Sequence, residues 1–223
     1  MTELETRQKI IGFCLEMNAS GLNQGTSGNI SARHDGAMLI TPSGVPYDEL
    51  EPDAIVRMRL DHDAYEWEGD LKPSSEYHFH RAILQAKPEQ GAIVHTHSTF
   101  ATVLSIGRRD IPACHYMIAA FGGPTVRCAE YATFGTPELS AKALVAMEGR
   151  SACLLANHGM IACGKDLDKA MWAAVELETL ARQYYHALQL GEPVILDEAE
   201  MARVGEKFKS YGPGGADDAA SVA

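Results

Sequence analysis

Three histidines carry the clearest chemistry in the sequence. His95 and His97 flank Thr96 in the run Ile93-Val94-His95-Thr96-His97, which reads as a β-strand. Residues i and i+2 of a strand point to one face, so the two imidazoles start roughly 6–7 Å apart at Cα and can converge on one cation. His158 sits in Leu154-Leu155-Ala156-Asn157-His158-Gly159-Met160, at the predicted turn of a hairpin, where Gly159 permits a tight turn that aims the ring inward. Three His ligands with a position left open describe a catalytic zinc (Zn2+) site. Manganese, iron and cobalt also suit three imidazoles. The same residues equally fit a polar strand face and an ordinary turn histidine. A second His-x-His, His78-Phe79-His80, is a control: in a predicted helix, i and i+2 point about 200° apart, so both read as structural. His115, in a predicted strand, has no partner by spacing, and His34, His62 and His186 read as surface residues.

Anion-binding chemistry is suggested by three short runs. Gly25-Thr26-Ser27-Gly28-Asn29-Ile30-Ser31 supplies clustered backbone N–H groups, hydroxyls and an amide, and Thr41-Pro42-Ser43-Gly44 adds more hydroxyls. Pro73-Ser74-Ser75-Glu76 places two serines at a predicted helix start, where free N–H groups and the macrodipole favour an anion. Together they can cradle a phosphate without a lysine. Singly, each also reads as a plain turn. Neither GxxxxGK[ST] nor GxGxxG occurs, which disfavours a nucleotide site. Glu76 has two readings: a first-turn glutamate that stabilises the helix, or a carboxylate beside the metal, acting as ligand or general base.

The elements that must position these residues follow from periodicity and punctuation. A helix is predicted over 4–20, with Leu4, Ile11 and Leu15 and the flanking Ile10 and Cys14 on one stripe and Gly21 as its stop. Strands are predicted at 30–33 and 38–41, and a hairpin at 55–60 and 64–68 across Asp61-His62-Asp63. Further on come helices at 75–86, 99–106, 137–147, 197–210 and from Asp166 to about 190, and strands at 92–96, 152–156 and 160–163. Hairpins mixed with helices predict an α/β (α+β-like) fold: a single domain over 1–211 with a central, largely antiparallel β-sheet flanked by helices. The Gly- and Ala-rich residues 212–223 are expected to be disordered.

The 223 residues are 46% apolar, enough for a sizeable core without staples. No apolar run approaches a membrane span. A formal net charge of −11 argues against a nucleic-acid or anionic-membrane partner. It does not argue against an anionic substrate, because a pocket of N–H groups, hydroxyls and a cation is independent of the outer surface. Five scattered cysteines (Cys14, Cys114, Cys128, Cys153, Cys163) without CxxC spacing read as packing residues in a reducing cytoplasm.

The chain resembles the class II aldolase/adducin family from about Arg7 to Gly212. The resemblance is carried by LNQGTSGNIS (22–31), MLITPSGVPY (38–47), PSSE (73–76), HTH (95–97), IPACHYMIAAFGG (111–123), YATFGT (131–136), NHGMIAC (157–163) and EKFKSYG (206–212). It implies a class II, metal-dependent aldolase that cleaves a ketose 1-phosphate, L-fuculose 1-phosphate-like, to dihydroxyacetone phosphate and an aldehyde such as lactaldehyde. It also implies a homotetramer with active sites between subunits. Carried over residue by residue, it makes His95, His97, His158 and Glu76 the metal ligands and Glu76 the base. Thr26, Gly28, Asn29, Ser43, Gly44, Ser74 and Ser75 become the phosphate site. Tyr116 becomes a proton donor from a neighbouring subunit, and Phe134 and Tyr211 the aldehyde end. Ser43 replaces the family's usual threonine and keeps the hydroxyl; the residues after Gly212 depart from the family. The family's alternatives are an aldolase for 5-deoxyribulose or 5-methylthioribulose 1-phosphate, a pentulose-phosphate epimerase and a non-catalytic adducin-like module. Glu76, where the epimerase branch has aspartate, and the three metal histidines favour an aldolase.

Overall fold

The computed structural model describes residues 1–61 and 65–210. Part of the predicted turn at 61–63, Tyr211 and the predicted tail lie outside them. In chain order the elements are α1 (Glu3–Ser20), β1 (Asn29–His34), β2 (Ala37–Ile40), β3 (Val56–Arg59), β4 (Trp67–Glu68), α2 (Tyr77–Ala86), β5 (Ala92–Thr96) and α3 (Thr99–Ile106). They continue with β6 (Ile111–Pro112), β7 (Thr125–Val126), β8 (Cys128–Ala129), α4 (Pro137–Ala146), β9 (Ala152–Leu155), β10 (Gly159–Gly164), α5 (Leu167–Leu190) and α6 (Glu198–Ser210).

Eight strands form one sheet in the order β4-β3-β2-β1-β5-β10-β9-β8, and β6 pairs with β7 separately. Every pairing in the main sheet is antiparallel except that of β8 with β9. The strand that carries His95 therefore lies between two antiparallel neighbours, with Asn29 and Ile161 opposite His95.

The two-residue period divides the core. Ile30, Ala32, Val94, Met160 and Ala162 pack with α1, α3, α5 and α6 on one face. Ile93, Cys153, Leu155, Ile161 and Cys163 pack with α2 and α4 on the other. Since successive strand side chains alternate faces, Asn29, Ser31 and His95 belong to the α2 side.

Local signals act as expected at several termini. Thr2 and Glu5 form a reciprocal capping box, and Gly21 closes α1 in the left-handed conformation. Asp166 accepts from the Lys169 N–H at 2.8 Å to start α5, a cap of about 1 kcal/mol.

Two predictions are corrected. The buried stripe of α1 is Thr6, Ile10, Cys14 and Met17, while Leu4 and Leu15 face solvent. Thr6 is tolerated inside because its hydroxyl donates to the Thr2 carbonyl oxygen. His115 and Tyr116 do not form a strand: His115 caps a 3-10 turn over Tyr116–Phe121 through Nδ1, which accepts from the Met117 N–H at 3.2 Å. All five cysteines are free thiols, and burial pushes Cys163 up to about 12 and Cys128 up to about 11, unlike nucleophilic thiols.

Candidate metal centre and active site

Strand β5 delivers His95 fully buried, and the exposed His97 follows directly after its last residue, Thr96. His158 arrives from the β9–β10 connection, where Asn157 takes the left-handed conformation at φ 57°. Gly159 is needed for a different reason from the turn it was expected to permit. A Cβ there would lie 2.5 Å from the Thr96 carbonyl oxygen and 2.9 Å from the His97 ring. Only glycine lets β10 bring His158 this close to β5.

The result is a triangle of imidazoles with centroid separations of 5.0, 4.9 and 4.9 Å. Glu76, in the turn ahead of α2, supplies the fourth group rather than capping that helix. Its Oε2 lies 3.0 Å from His95 Nε2 and its Oε1 3.0 Å from His158 Nε2. One donor atom from each of the four residues falls within 4.8 Å of the others. His95 donates Nδ1–H to the Met160 carbonyl oxygen at 2.8 Å, which leaves its Nε2 lone pair directed at the cluster.

These residues fit a divalent cation. Glu76 Oε1 and His95 Nε2 are buried with no hydrogen-bond partner, a costly arrangement that a cation between them would relieve. Burial pushes the Glu76 carboxyl up, but the facing His95 and His158 outweigh it and hold the group well below the usual carboxylate range. Partial burial and the two neighbouring imidazoles lower His97 to about 4, so it presents the neutral ring a metal requires.

The donors open into a cleft of about 450 Å3 lined by Thr26, Ser43, Gly44, Ser75, Phe134 and Tyr131 among others. Two loops are clasped to form its hydroxyl end. Ser43 N–H donates to the Lys72 carbonyl oxygen at 3.0 Å, and Ser74 N–H to that of Thr41 at 2.9 Å. Gly44, at φ 72°, turns the first loop back against the second. The Glu76 side chain does not cap α2; Ser74 takes the first N–H groups there, its Oγ accepting from Glu76 N–H at 3.3 Å and its carbonyl oxygen from Tyr77 N–H at 3.0 Å. The start of α3, directly after His97 and Ser98, is instead closed by Glu178, which accepts from Ser98 Oγ, Phe100 N–H and Ala101 N–H at 2.7–2.9 Å.

The structure brings together His95, His97, His158 and Glu76, with Thr26, Ser43, Gly44, Ser75 and Phe134 in one cleft. Gly28, Asn29 and Ser74 are buried behind its wall. Tyr116 lies elsewhere in the chain, half exposed, in a second cleft with Trp172, Glu176 and Phe208. Tyr211 lies outside the described residues. Sequence reading missed Tyr131 and Asn157 at the cleft, and it missed the link from His80 to Asn29. His80, expected to be structural, has its Nε2 2.5 Å from Asn29 Oδ1. The available signal was position: Glu76 and His80 are four residues apart at the start of one helix.

The description of the Class II Aldolase and Adducin N-terminal domain matches residues 8–185, and the chain belongs to that family. The family is metal dependent, and this chain has a Glu/His3 cluster that could hold a metal ion. A 5-methylthioribulose-1-phosphate/5-deoxyribulose-1-phosphate aldolase of Rhodospirillum rubrum is 52% identical, over 95% of this chain and 94% of the relative. L-fuculose phosphate aldolase of Escherichia coli K12 is 50% identical, over 92% and 94%. A solved L-fuculose 1-phosphate aldolase superposes with a TM-score of 0.88 at 42% identity, covering 92% of this chain and 96% of that one. This chain is an enzyme of the class II aldolase type.

Proposed function

We propose that this aldolase is zinc dependent and reversibly cleaves a ketose 1-phosphate, L-fuculose 1-phosphate-like, to dihydroxyacetone phosphate and a lactaldehyde-like aldehyde. One observation carries the reading: a single cleft joins a carboxylate–imidazole metal site to a lysine-free wall of hydroxyls and backbone N–H groups.

A bound zinc ion supplies a localised positive charge that stabilises the electron pair released when the C–C bond breaks. Thr26, Ser43, Gly44 and Ser75 hold the phosphate from the cleft wall, with Gly28, Asn29 and Ser74 supporting them from behind. In the synthetic direction Glu76 removes a proton from the carbon beside the ketone carbonyl. Tyr116 then gives a proton to the aldehyde oxygen as the new bond forms. Its position in a separate cleft supports contribution from a neighbouring copy in a homotetramer. The aldehyde end falls to Phe134, which lines the cleft, and, by the family resemblance alone, to Tyr211. The five free thiols support a cytoplasmic setting.

The near-equal identities to two kinds of aldolase favour a second reading at the aldehyde end alone: 5-deoxyribulose or 5-methylthioribulose 1-phosphate as substrate. Aldol assays with dihydroxyacetone phosphate and lactaldehyde, glycolaldehyde, acetaldehyde or methylthioacetaldehyde separate the two. Highest kcat/KM with lactaldehyde supports the first reading, and with acetaldehyde or methylthioacetaldehyde the second. No product with any aldehyde contradicts both.

A further inference from the structure

Behind Glu76 runs a line of buried polar groups, Asn29, His80 and Ser31, of which the proposed roles use only Asn29. Ser31 and His80 are fully buried and Asn29 is 4% exposed. Ser31 Oγ lies 2.7 Å from His80 Nδ1, His80 Nε2 lies 2.5 Å from Asn29 Oδ1, and Asn29 Nδ2 lies 3.0 Å from Glu76 Oε2. The fold places them in register. Asn29 and Ser31 are two apart on β1 and share the α2 face, while Glu76 and His80 are four apart at the start of α2.

The chemistry gives this line one direction. A carboxylate accepts only, so Asn29 must present its N–H2 to Glu76 and its oxygen to His80. The amide oxygen also accepts only, so His80 carries its hydrogen on Nε2. Nδ1 of the neutral ring is then an acceptor for the Ser31 hydroxyl. Without His80, the Asn29 amide could turn over and set its oxygen against the carboxylate.

We infer that Ser31 and His80 are positioning residues: they lock the Asn29 amide in the orientation that donates to Glu76, and so hold the carboxylate in place for proton transfer. The kinetic consequence rests on the reading of Glu76 as the proton acceptor. The hydrogen-bond direction stands on geometry alone.

The test uses the full chain loaded with zinc. Two-bond 1H–15N spectra of histidine-labelled protein, with His80 assigned by its loss in His80→Gln, are expected to show the Nε2–H form. An Nδ1–H form overturns the inference. For dihydroxyacetone phosphate proton exchange, His80→Phe is expected to keep one zinc per chain and a near-normal KM while kcat falls about 10–100-fold. Gln can place an N–H near the Nε2 position, so His80→Gln is expected to retain most of kcat. Equal losses in the Phe and Gln variants, or a loss confined to KM, overturn the positioning role. If His80→Phe does not fold, Ser31→Ala serves in its place, with a smaller expected fall in kcat; an unchanged kcat there contradicts the inference. Wild-type protein with no exchange would remove the aldolase reading and leave the tautomer measurement to judge this one.

Discussion

The two ends of the cleft are built by opposite means. At the metal end, donors come from β5, the β9–β10 connection and the turn before α2, and buried bonds orient them: His95 on the Met160 carbonyl oxygen, and Glu76 on Asn29. At the hydroxyl end, Thr26, Ser43, Gly44 and Ser75 sit on loops, held by backbone pairing between the 41–44 and 72–74 segments. Ionisable groups removed from water need every partner in place, because an unpaired one costs more than a good bond returns. Neutral hydroxyls and N–H groups remain hydrated until an anion arrives, so exposed loops suffice. The starts of α2 and α3 repeat the contrast: at α2 the neutral Ser74 takes the first N–H groups, and at α3 the carboxylate of Glu178 does.

Substitutions at the two ends should therefore fail differently. The largest effect is expected from His97→Ala, which removes one of only three imidazoles; bound metal after dialysis should fall from about one per chain to near zero. A full zinc complement in that variant would remove His97 from the ligand set. Glu76→Gln should keep metal on the imidazoles while proton exchange at dihydroxyacetone phosphate falls about 10²–10⁴-fold. Undiminished exchange would take Glu76 out of the proton step.

Buried bonding at the metal end also predicts acid sensitivity. Burial lowers His80 from 6.5 to about 3, so between those values the unfolded chain binds more protons and stability falls as pH falls. Denaturant titration of chelated protein should lose about 2 kcal/mol from this group between pH 7 and pH 5. His80→Gln should remove that part of the slope, and an unchanged slope would contradict it. The smallest effect is expected at the other end: Ser75→Ala should raise KM for dihydroxyacetone phosphate about tenfold, the equivalent of ~1.4 kcal/mol, with metal content and melting temperature unchanged. Loss of metal in Ser75→Ala would mean that the two ends are not independent.

Much of the His/Glu cluster was legible in sequence because a strand's two-residue period is local: His95 near the end of β5 and His97 just past it lie two residues apart. The main elements were legible for the same reason, as was the antiparallel sheet that the hairpins implied. What failed depends on partners distant in sequence. On α1 the expected stripe kept Ile10 and Cys14 but was rotated toward Thr6 and Met17, because the face that is buried is set by the 3-10 turns at Tyr47–Glu49 and Pro52–Ala54 and by β1 and α5, all packed against the helix. His80 was judged by whether it could share a metal with His78, whereas its partners, Asn29 and Ser31, are about fifty residues away. Gly159 was expected to serve the turn, but its requirement comes from Thr96 and His97 on the next strand. The clasp between the two serine loops is likewise a pairing of remote segments.

In the proposed reaction a carboxylate beside a metal moves a proton on a phosphorylated ketone. It is tested most directly by following deuterium uptake from D2O at the hydroxymethyl carbon of dihydroxyacetone phosphate by proton NMR. Zinc-dependent exchange is expected at one of the two hydrogens, abolished by chelation and restored by added zinc. Zinc-replete wild-type protein that leaves both hydrogens unexchanged would contradict it.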